Sequence, residues 1–509
     1  MEKIMAEKNT ADIGFEKEIW DAACVLRGNM DASEYKNVIL GLIFLKYISD
    51  SFEAKYQELL DEGEGFEEDR DEYDAENIFF VPVGARWKDI AEVAHKPEIG
   101  TVIDKAMTEI ENENKKLKGI LPKNFARPEL DKRRLGEVVD LFTNVQMAEG
   151  TDEKDLLGRT YEYCLRNFAE QEGKNAGQFY TPSCVVRTIV EILQPFNGRV
   201  YDPCCGAGGM FVQSAAFVKN HQGNINNISV YGQESNPTTW KMAKMNLAIR
   251  GIDCNLGEIP DDTFLSDQHP TMKADYVMAN PPFNLTPWGA DKLKGDQRWK
   301  YGMPPASNAN FAWMQHMIWH LAPEGKIGMV LAKGSLSSAQ GGEDTIRERL
   351  VRADLVDCII AMPTQLFYTT QIPVCLWFIS KKKKHPGKTL FIDARNMGTM
   401  VTRKLRELTS GEDGDIEKLA ATYRAFVDGT LEDVKGYCSV ATIEDIEKHG
   451  FILTPGRYVG IEDEEDDGEP FEDKMNRLTA ELYEMINETH AYEKSIKDKL
   501  EKLGFGNNK

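Results

Sequence analysis

A chain of 509 residues is too long to fold around one ordinary core, so two or three domains are expected. No run reaches the roughly 18 consecutive apolar residues of a membrane span, and the start MEKIMAEKNTADIG lacks a secretory pattern, so no membrane partner and a cytoplasmic location are expected. Nine cysteines without a CxxC pair argue against a disulfide framework or a zinc site, and a formal charge of -22 argues against a surface that grips a polyanion unaided.

From Phe15 to about Phe168 the sequence reads as helical. In DASEYKNVILGLIFLKYISDSFEAKYQELL, Asp31 and Glu34 have capping-box spacing, and Val38, Leu42, Leu45 and Ile48 recur every three or four residues as a core stripe. The acidic stretch DEGEGFEEDRDEYDAEN reads as a solvated loop, and DLLGRTYEYCLRNFAE as a further helix. After Gly173, the apolar runs RVYDP, ISVYGQE, ADYVMANPP, KIGMVLA, LVDCIIAMP and VCLWFIS alternate with helical patterns. That texture predicts an α/β domain with a largely parallel sheet whose ligands sit beyond the carboxyl ends of its strands. The expected division is a helical region 1–172, an α/β catalytic domain 173–400, an extension with an acidic linker 401–473, and a C-terminal helix 474–509. In that helix Met475, Leu478, Leu482, Met485, Tyr492, Ile496 and Leu503 fall at coiled-coil spacing, a seam that needs a partner helix.

The strand RVYDP runs into CCGAGG, so Asp202 ends a strand and Gly206, Ala207, Gly208 and Gly209 turn into a helix. Glycines there let the backbone approach a ligand, and a strand-end carboxylate can accept hydrogen bonds from a cationic group. Glu234, after the next strand, can take both hydroxyls of a ribose. NAD fits that spacing too, although DxxxGxG departs from the GxGxxG fingerprint tuned to a pyrophosphate.

Asn280, Pro281, Pro282 and Phe283 follow a third strand and carry the most specific chemistry. The exocyclic amine of adenine is a poor nucleophile because its lone pair is delocalised into the ring. The Asn280 side-chain oxygen and the Pro281 carbonyl can accept both amine hydrogens and draw the nitrogen toward a tetrahedral form. The prolines fix the backbone, and the Phe283 ring can stack on a base that has left the helix.

This constellation resembles the amino-group DNA methyltransferases. GQFYTP at Gly177, Gln178, Phe179, Tyr180, Thr181 and Pro182 precedes the glycine turn, the order of the gamma arrangement. WDAACVLRGNMDASEYKNVILGLIFLKYISD, DLLGRTYEYCLRNFAE, DPCCGAGGMF, NPPFN, NANFAWMQHMI, GKIGMVLAKGSL and LFYTTQIPVCLWFISK narrow the resemblance to modification subunits of type I restriction-modification systems, over most of residues 15–400. The resemblance implies a Rossmann-like S-adenosylmethionine-dependent methyltransferase sheet, with a helical N-terminal domain and a coiled-coil-like helical tail. It implies S-adenosyl-L-methionine as cofactor and methyl transfer to N6 of adenine in duplex DNA. In DDTFLSDQHP it implies a carboxylate on the cofactor adenine, assigned to Asp262 with Asp261 and Asp267 as competitors, and it gives Phe367 or Tyr368 a part in holding the base. The implied partners are a specificity subunit, a restriction subunit, a second copy of the chain in a complex of two modification chains per specificity chain, and double-stranded DNA.

Pro203 and Cys204 imitate the proline–cysteine pair of cytosine C5 methyltransferases, but they lie in the cofactor turn and are not expected to supply a nucleophile. His316 and His320, four residues apart, read as a helix surface without an acidic partner, so no metal is expected. KKKKH at Lys381–His385 reads as a solvated loop or a phosphate contact. Alternative readings are methylation of cytosine N4, protein glutamine or RNA guanine, and a scaffold that binds cofactor without catalysing.

Overall fold

The computed structural model describes residues 20, 24, 26, 32–144, 160–168, 181–221, 223–367, 372–403, 405–461 and 471–502. Contacts group the chain into two compact units, 1–460 and 461–509.

The first helix, α1 (Ala32–Glu62), is buried on more than the expected stripe. Val38, Ile39, Leu40, Leu42, Ile43, Phe44, Leu45 and Ile48 are all shielded, so this stretch is the axis of the helical core and not a surface helix. Gly41 permits a close contact, because a Cβ there would lie 2.5 Å from Pro122 Cγ. Around it pack α2 (Ile99–Glu113), α3 (Lys132–Asn144) and α4 (residues 160–168), contributing Ile103, Ile110, Leu135, Phe142, Tyr161 and Phe168. Each such side chain adds roughly 1.5–3 kcal/mol of burial. Asp31 and the Glu34 side chain lie outside the described residues. The acidic stretch is not wholly a loop. Arg70–Ala75 forms a short helix capped by the Asp69 carboxylate on the Asp71 amide, and it is anchored by buried Tyr73 stacked on Phe52.

The sheet strands are β1 (Gly198–Asp202), β2 (Ile228–Gly232), β3 (Cys254–Asn255), β4 (Ala274–Ala279), β5 (Leu321–Ala332), β6 (Val356–Ala361), β7 (Val374–Ser380) and β8 (Lys388–Asp393). A small β9 (Thr399–Met400) and β10 (Arg406–Glu407) ladder follows, then β11 (Cys438–Thr442). The large sheet has the order β11-β8-β6-β7-β5-β4-β1-β2-β3 and is largely parallel, with β7 and β11 reversed. The sequence beyond residue 400 thus returns to the sheet through β11.

Helices cover both faces. α5 (Ser183–Leu193), α6 (Gly209–Asn220), α7 (Pro237–Ile249), α8 (Asn310–His320), α9 (Glu343–Arg352) and α10 (Asp415–Asp428) follow in chain order. In β7 all seven residues are buried: Leu376 and Phe378 join the core with α5, α6 and α10, while Cys375 and Trp377 join the core with α8 and α9. Helix α7 bridges two cores. Trp240, Ala243 and Leu247 join the sheet, while Met242, Met245 and Ile249 join the helical bundle.

The second unit holds α11 (Phe471–Lys502), along which Met475, Leu478, Leu482, Met485, Tyr492 and Ile496 are exposed. Leu503 and the acidic run Glu462–Asp467 lie outside the described residues. Among the described residues, no helix is long and apolar enough to cross a membrane.

Candidate active site

Strand order reverses between β1 and β4, so the carboxyl ends of β1, β2 and β4 open onto one crevice. Asp202 ends β1 and is only 2% exposed. Its Oδ1 accepts the Cys204 amide at 3.0 Å. Burial, only partly offset by that hydrogen bond and reinforced by nearby Glu234, raises its pKa to about 7. Gly206 and Gly208 take φ of 54° and 83°, a left-handed pair that non-glycine residues adopt at a cost, and the chain then enters α6. Glu234 ties its own segment to this turn, since its Oε2 accepts the Gly206 amide at 3.1 Å and its Oε1 the Asn236 amide at 2.8 Å. Burial raises the Glu234 pKa too, against these donors.

Asn280 directly follows β4. Its Nδ2 donates to Thr181 Oγ1 at 3.0 Å, while its Oδ1 is buried and has no partner among the described residues. An acceptor is therefore held in place by its own amide and presented to a site that leaves it unsatisfied. Beyond it the chain is locked. Asn284, at φ 53°, donates its amide to Asn310 Oδ1 at 3.1 Å, and its own Oδ1 accepts from the Asn308 and Asn310 amides, both at 3.0 Å. The Phe283 ring stands edge-on to Phe367, with centroids 5.9 Å apart.

A cleft of about 600 Å³ brings together Thr181, Asp202, Gly206, Ala207, Gly209 and Asn280, and adds Glu162, Gln213 and Asn246, which sequence patterns did not single out. Its described lining holds two carboxylates, of which Glu162 is paired with Arg250 behind it, and no lysine, arginine or histidine, so Asp202 is left as an anionic group suited to a cation. Glu234, Asp262, Gly208, Pro281, Pro282 and Phe283 are not part of this lining; Pro182 starts α5 as its cap residue. Gly177, Gln178, Phe179 and Tyr180 lie outside the described residues, as does Tyr368. Burial pushes the Cys204 and Cys205 thiols far up, so neither supplies a thiolate here.

The segment 261–268 is held from beneath by Gln233, a fully buried residue. Its Nε2 donates to the Asp261 and Ser266 carbonyls, and its Oε1 accepts the Gln268 amide. Asp262 Oδ1 caps the turn by accepting the Phe264 and Leu265 amides at 2.8 and 3.0 Å. Asp267 is committed elsewhere, and this corrects the reading of His316 and His320 as a helix surface. Both rings are fully buried, and the missing acidic partner is Asp267, whose Oδ2 accepts from His320 Nε2 at 2.9 Å. Burial works to raise Asp267, but the His320 hydrogen bond and charge bring it down to about 2. His316 contacts the Tyr201 hydroxyl through Nε2 and accepts from Arg298 through Nδ1, both at 3.1 Å. Asp267, His316 and His320 are close enough to suggest a metal site. The Arg298 guanidinium occupies the His316 lone pair, however, so Nε2 carries the proton and cannot ligate. The cluster is a buried hydrogen-bond network that fastens β1 and α8 to the 261–268 segment through Arg298 Nη2 on the Phe264 carbonyl at 2.7 Å. Arg298→Ala is expected to lower stability by roughly 2–4 kcal/mol, measured from the chemical-denaturation midpoint and slope; a change within about 0.5 kcal/mol would contradict this role.

The lysine run is a surface loop with contacts to its neighbours. Lys381 donates to the Leu321 carbonyl, Lys382 pairs with Glu324, and Lys383 binds Asp354 and the Val356 carbonyl at 2.7 and 2.9 Å. Lys381 and Lys382 remain exposed, as the solvated-loop reading expects, and the Lys383 side chain, 2% exposed, is the part that the reading missed.

A family model described as HsdM N-terminal domain matches residues 15–142, and one described as N-6 DNA Methylase matches residues 152–467. The methylase subunit of the type I restriction enzyme HindI of Haemophilus influenzae is 46% identical over 84% of this chain and 100% of its own length. This chain belongs to the N-6 DNA methylase family. Within it, the chain falls among type I methylase subunits: that of the MjaIX enzyme of Methanocaldococcus jannaschii is 38% identical over 96% of this chain and 92% of its own. The type I methyltransferase subunit of Streptococcus thermophilus shares the fold, with a TM-score of 0.75 at 24% identity over 88% of this chain and 99% of that one. This N-6 DNA methylase is an adenine-specific DNA methyltransferase, and its sheet with flanking helices is the methyltransferase fold expected above.

Proposed function

We propose that this methylase binds S-adenosyl-L-methionine in the acidic cleft and methylates N6 of an adenine turned out of duplex DNA onto Asn280, Pro281, Pro282 and Phe283. The observation that carries this is Asn280, whose oxygen is buried, without a partner among the described residues, and fixed through Thr181. Asp202 and the Gly206–Gly209 turn suit the cofactor's charged methionine end, Glu234 its ribose hydroxyls and Asp262 its adenine. Asp262 is preferred over Asp267 because the latter's oxygens are taken by His320 and the His269 amide. Gly177, Gln178, Phe179, Tyr180 and Pro182 keep the cofactor-segment role that the resemblance gives them. When bound, this cofactor supplies an electrophilic methyl group on a sulfonium. The chain's residues then hold the amine: Asn280 Oδ1 and the Pro281 carbonyl accept its hydrogens, and Phe283, buttressed by Phe367, covers the base. No protein base is required, since the methylated amine sheds its proton to water.

The chain reads as the modification subunit that works with a specificity subunit, a second modification chain and, for cleavage, a restriction subunit. The exposed stripe of α11 serves as the docking helix, and another subunit supplies most of the DNA grip that a charge of -22 denies this one. Sequencing genomic DNA with modified-base detection, with and without the gene, tests the reading. One adenine mark should vanish with the gene; an unchanged adenine pattern would refute it.

Cofactor binding should also depend on pH. Below about pH 7 the Asp202 carboxyl is protonated and a cation must expel that proton, so affinity should fall as pH drops. Titration calorimetry should give a dissociation constant roughly 5–10-fold weaker at pH 6 than at pH 8, with proton release seen between buffers of different ionisation enthalpy. A flat profile would contradict this role for Asp202.

A further inference from the structure

The family's cofactor motifs all lie between Gly177 and Phe283, yet the cleft has a wall from outside that span. Glu162, on α4 of the helical bundle, lines it. Its carboxylate lies 3.4 Å from the Arg250 guanidinium, at the end of α7. Arg250 in turn donates to the Asn246 side-chain oxygen and, at 3.2 Å, to the Asn246 carbonyl. Asn246 is 3% exposed, lines the same cleft, and donates from Nδ2 to the Ala207 carbonyl at 2.7 Å, in the middle of the glycine turn. Two further links run parallel to this one. Fully buried Tyr161 donates to the Met242 carbonyl at 3.2 Å, and Ala207 packs in the same apolar cluster as Tyr161, Leu165 and Met242.

We propose that Glu162, Arg250 and Asn246 form a positioning relay through which the N-terminal helical bundle sets the glycine turn, so that cofactor affinity belongs to both regions and not to the α/β domain alone. The turn needs such support. Two glycines in left-handed conformation give it little rigidity of its own, and the Asn246 amide is the side chain that fixes its central carbonyl. Arg250 orients Asn246 best while its own fork is held, and Glu162 contributes to that hold from the bundle.

The proposal rests on the cofactor reading above, and two measurements on the full-length protein keep them separate. Hydrogen exchange of the ligand-free protein reads the turn directly. Asn246→Ala, Arg250→Ala and Glu162→Gln should each speed exchange of amides in residues 205–211, with β6 and β7 unchanged. Calorimetry with S-adenosyl-L-methionine should show the dissociation constant weakened about 10-fold or more by Asn246→Ala and Arg250→Ala and several-fold by Glu162→Gln. The pair Glu162→Gln with Arg250→Ala should be no worse than Arg250→Ala alone. A merely structural role would lower the melting temperature without this non-additive pattern. Unchanged exchange at the turn, or additive effects on affinity, would overturn the relay. Absence of binding by the unaltered protein would instead overturn the cofactor reading, and exchange would still decide the relay.

Discussion

Asn280→Ala is expected to reduce the methyl-transfer rate constant by roughly 10²–10³-fold while leaving cofactor affinity within a few-fold of the original. The asymmetry follows from what each Asn280 atom does. Nδ2 is spent on Thr181, whereas Oδ1, on a residue that lines the cleft, is buried with nothing to accept from among the described residues. Alanine removes an acceptor used only when an amine is present, so the loss belongs to the transition state and not to cofactor binding. Leaving an acceptor buried and unsatisfied costs roughly 1–3 kcal/mol, so the variant should be as stable as the parent or slightly more. Single-turnover assays with saturating cofactor, with calorimetry and melting curves on the same preparation, check all three. A variant that loses cofactor affinity in proportion to rate would show that Asn280 is a binding residue only.

Asp202→Asn should have the second largest effect, and in two opposite directions. A buried carboxylate with no cation beside it is costly, which is why its pKa rises to about 7 in the ligand-free chain. For an acid whose folded pKa exceeds its unfolded value, the stabilising contribution is present at low pH and is lost as pH rises through about 7. The asparagine variant escapes that loss, which accumulates from the unfolded value of 3.8 up to about 7, so without cofactor it should melt higher than the parent at pH 8, by less at pH 5, and nearly equally only at about pH 4. Its affinity for S-adenosyl-L-methionine should fall about 100-fold, the scale of losing one member of a buried charge pair, and the pH dependence of binding should disappear. Stability gained where binding is lost is a signature of a site that holds an unpaired charge in readiness. A variant that melts lower than the parent at pH 8 would contradict it.

What could be read from the sequence follows the range of the interactions. Asp202, Glu234 and Asn280 announce themselves because each stands at the end of an apolar strand, a local pattern, and the switch point of the sheet brings those ends together. The β7 run VCLWFIS is legible as a strand buried on both faces for the same reason. His316 and His320 were misleading because i, i+4 spacing says the two rings share a face, not whether that face is wet. Their partner Asp267 lies on a separate loop. Gln233, Asn246, Arg250 and Glu162 are ordinary polar residues whose importance comes from tertiary contacts, and no spacing rule marks them. Asn284 and Asn310 were visible within NPPFN and NANF as pieces of a resemblance. Their physical role is the hydrogen-bonded lock behind the Asn280–Phe283 segment proposed as catalytic, which appears only in three dimensions. The lysine run reads as a solvated loop or a phosphate contact, and a charge string carries no information about the carboxylate and carbonyl that take Lys383 out of it.

The atom that receives the methyl group separates adenine-N6 transfer from its rivals. The most direct test incubates duplex DNA carrying the recognition site with isotope-labelled S-adenosyl-L-methionine and this chain in complex with its specificity subunit, then identifies the labelled nucleosides by mass spectrometry. Label should appear in N6-methyladenine alone, and in none when Asn280 is alanine. Label in N4-methylcytosine, or adenine methylation undiminished in the Asn280→Ala complex, would contradict it.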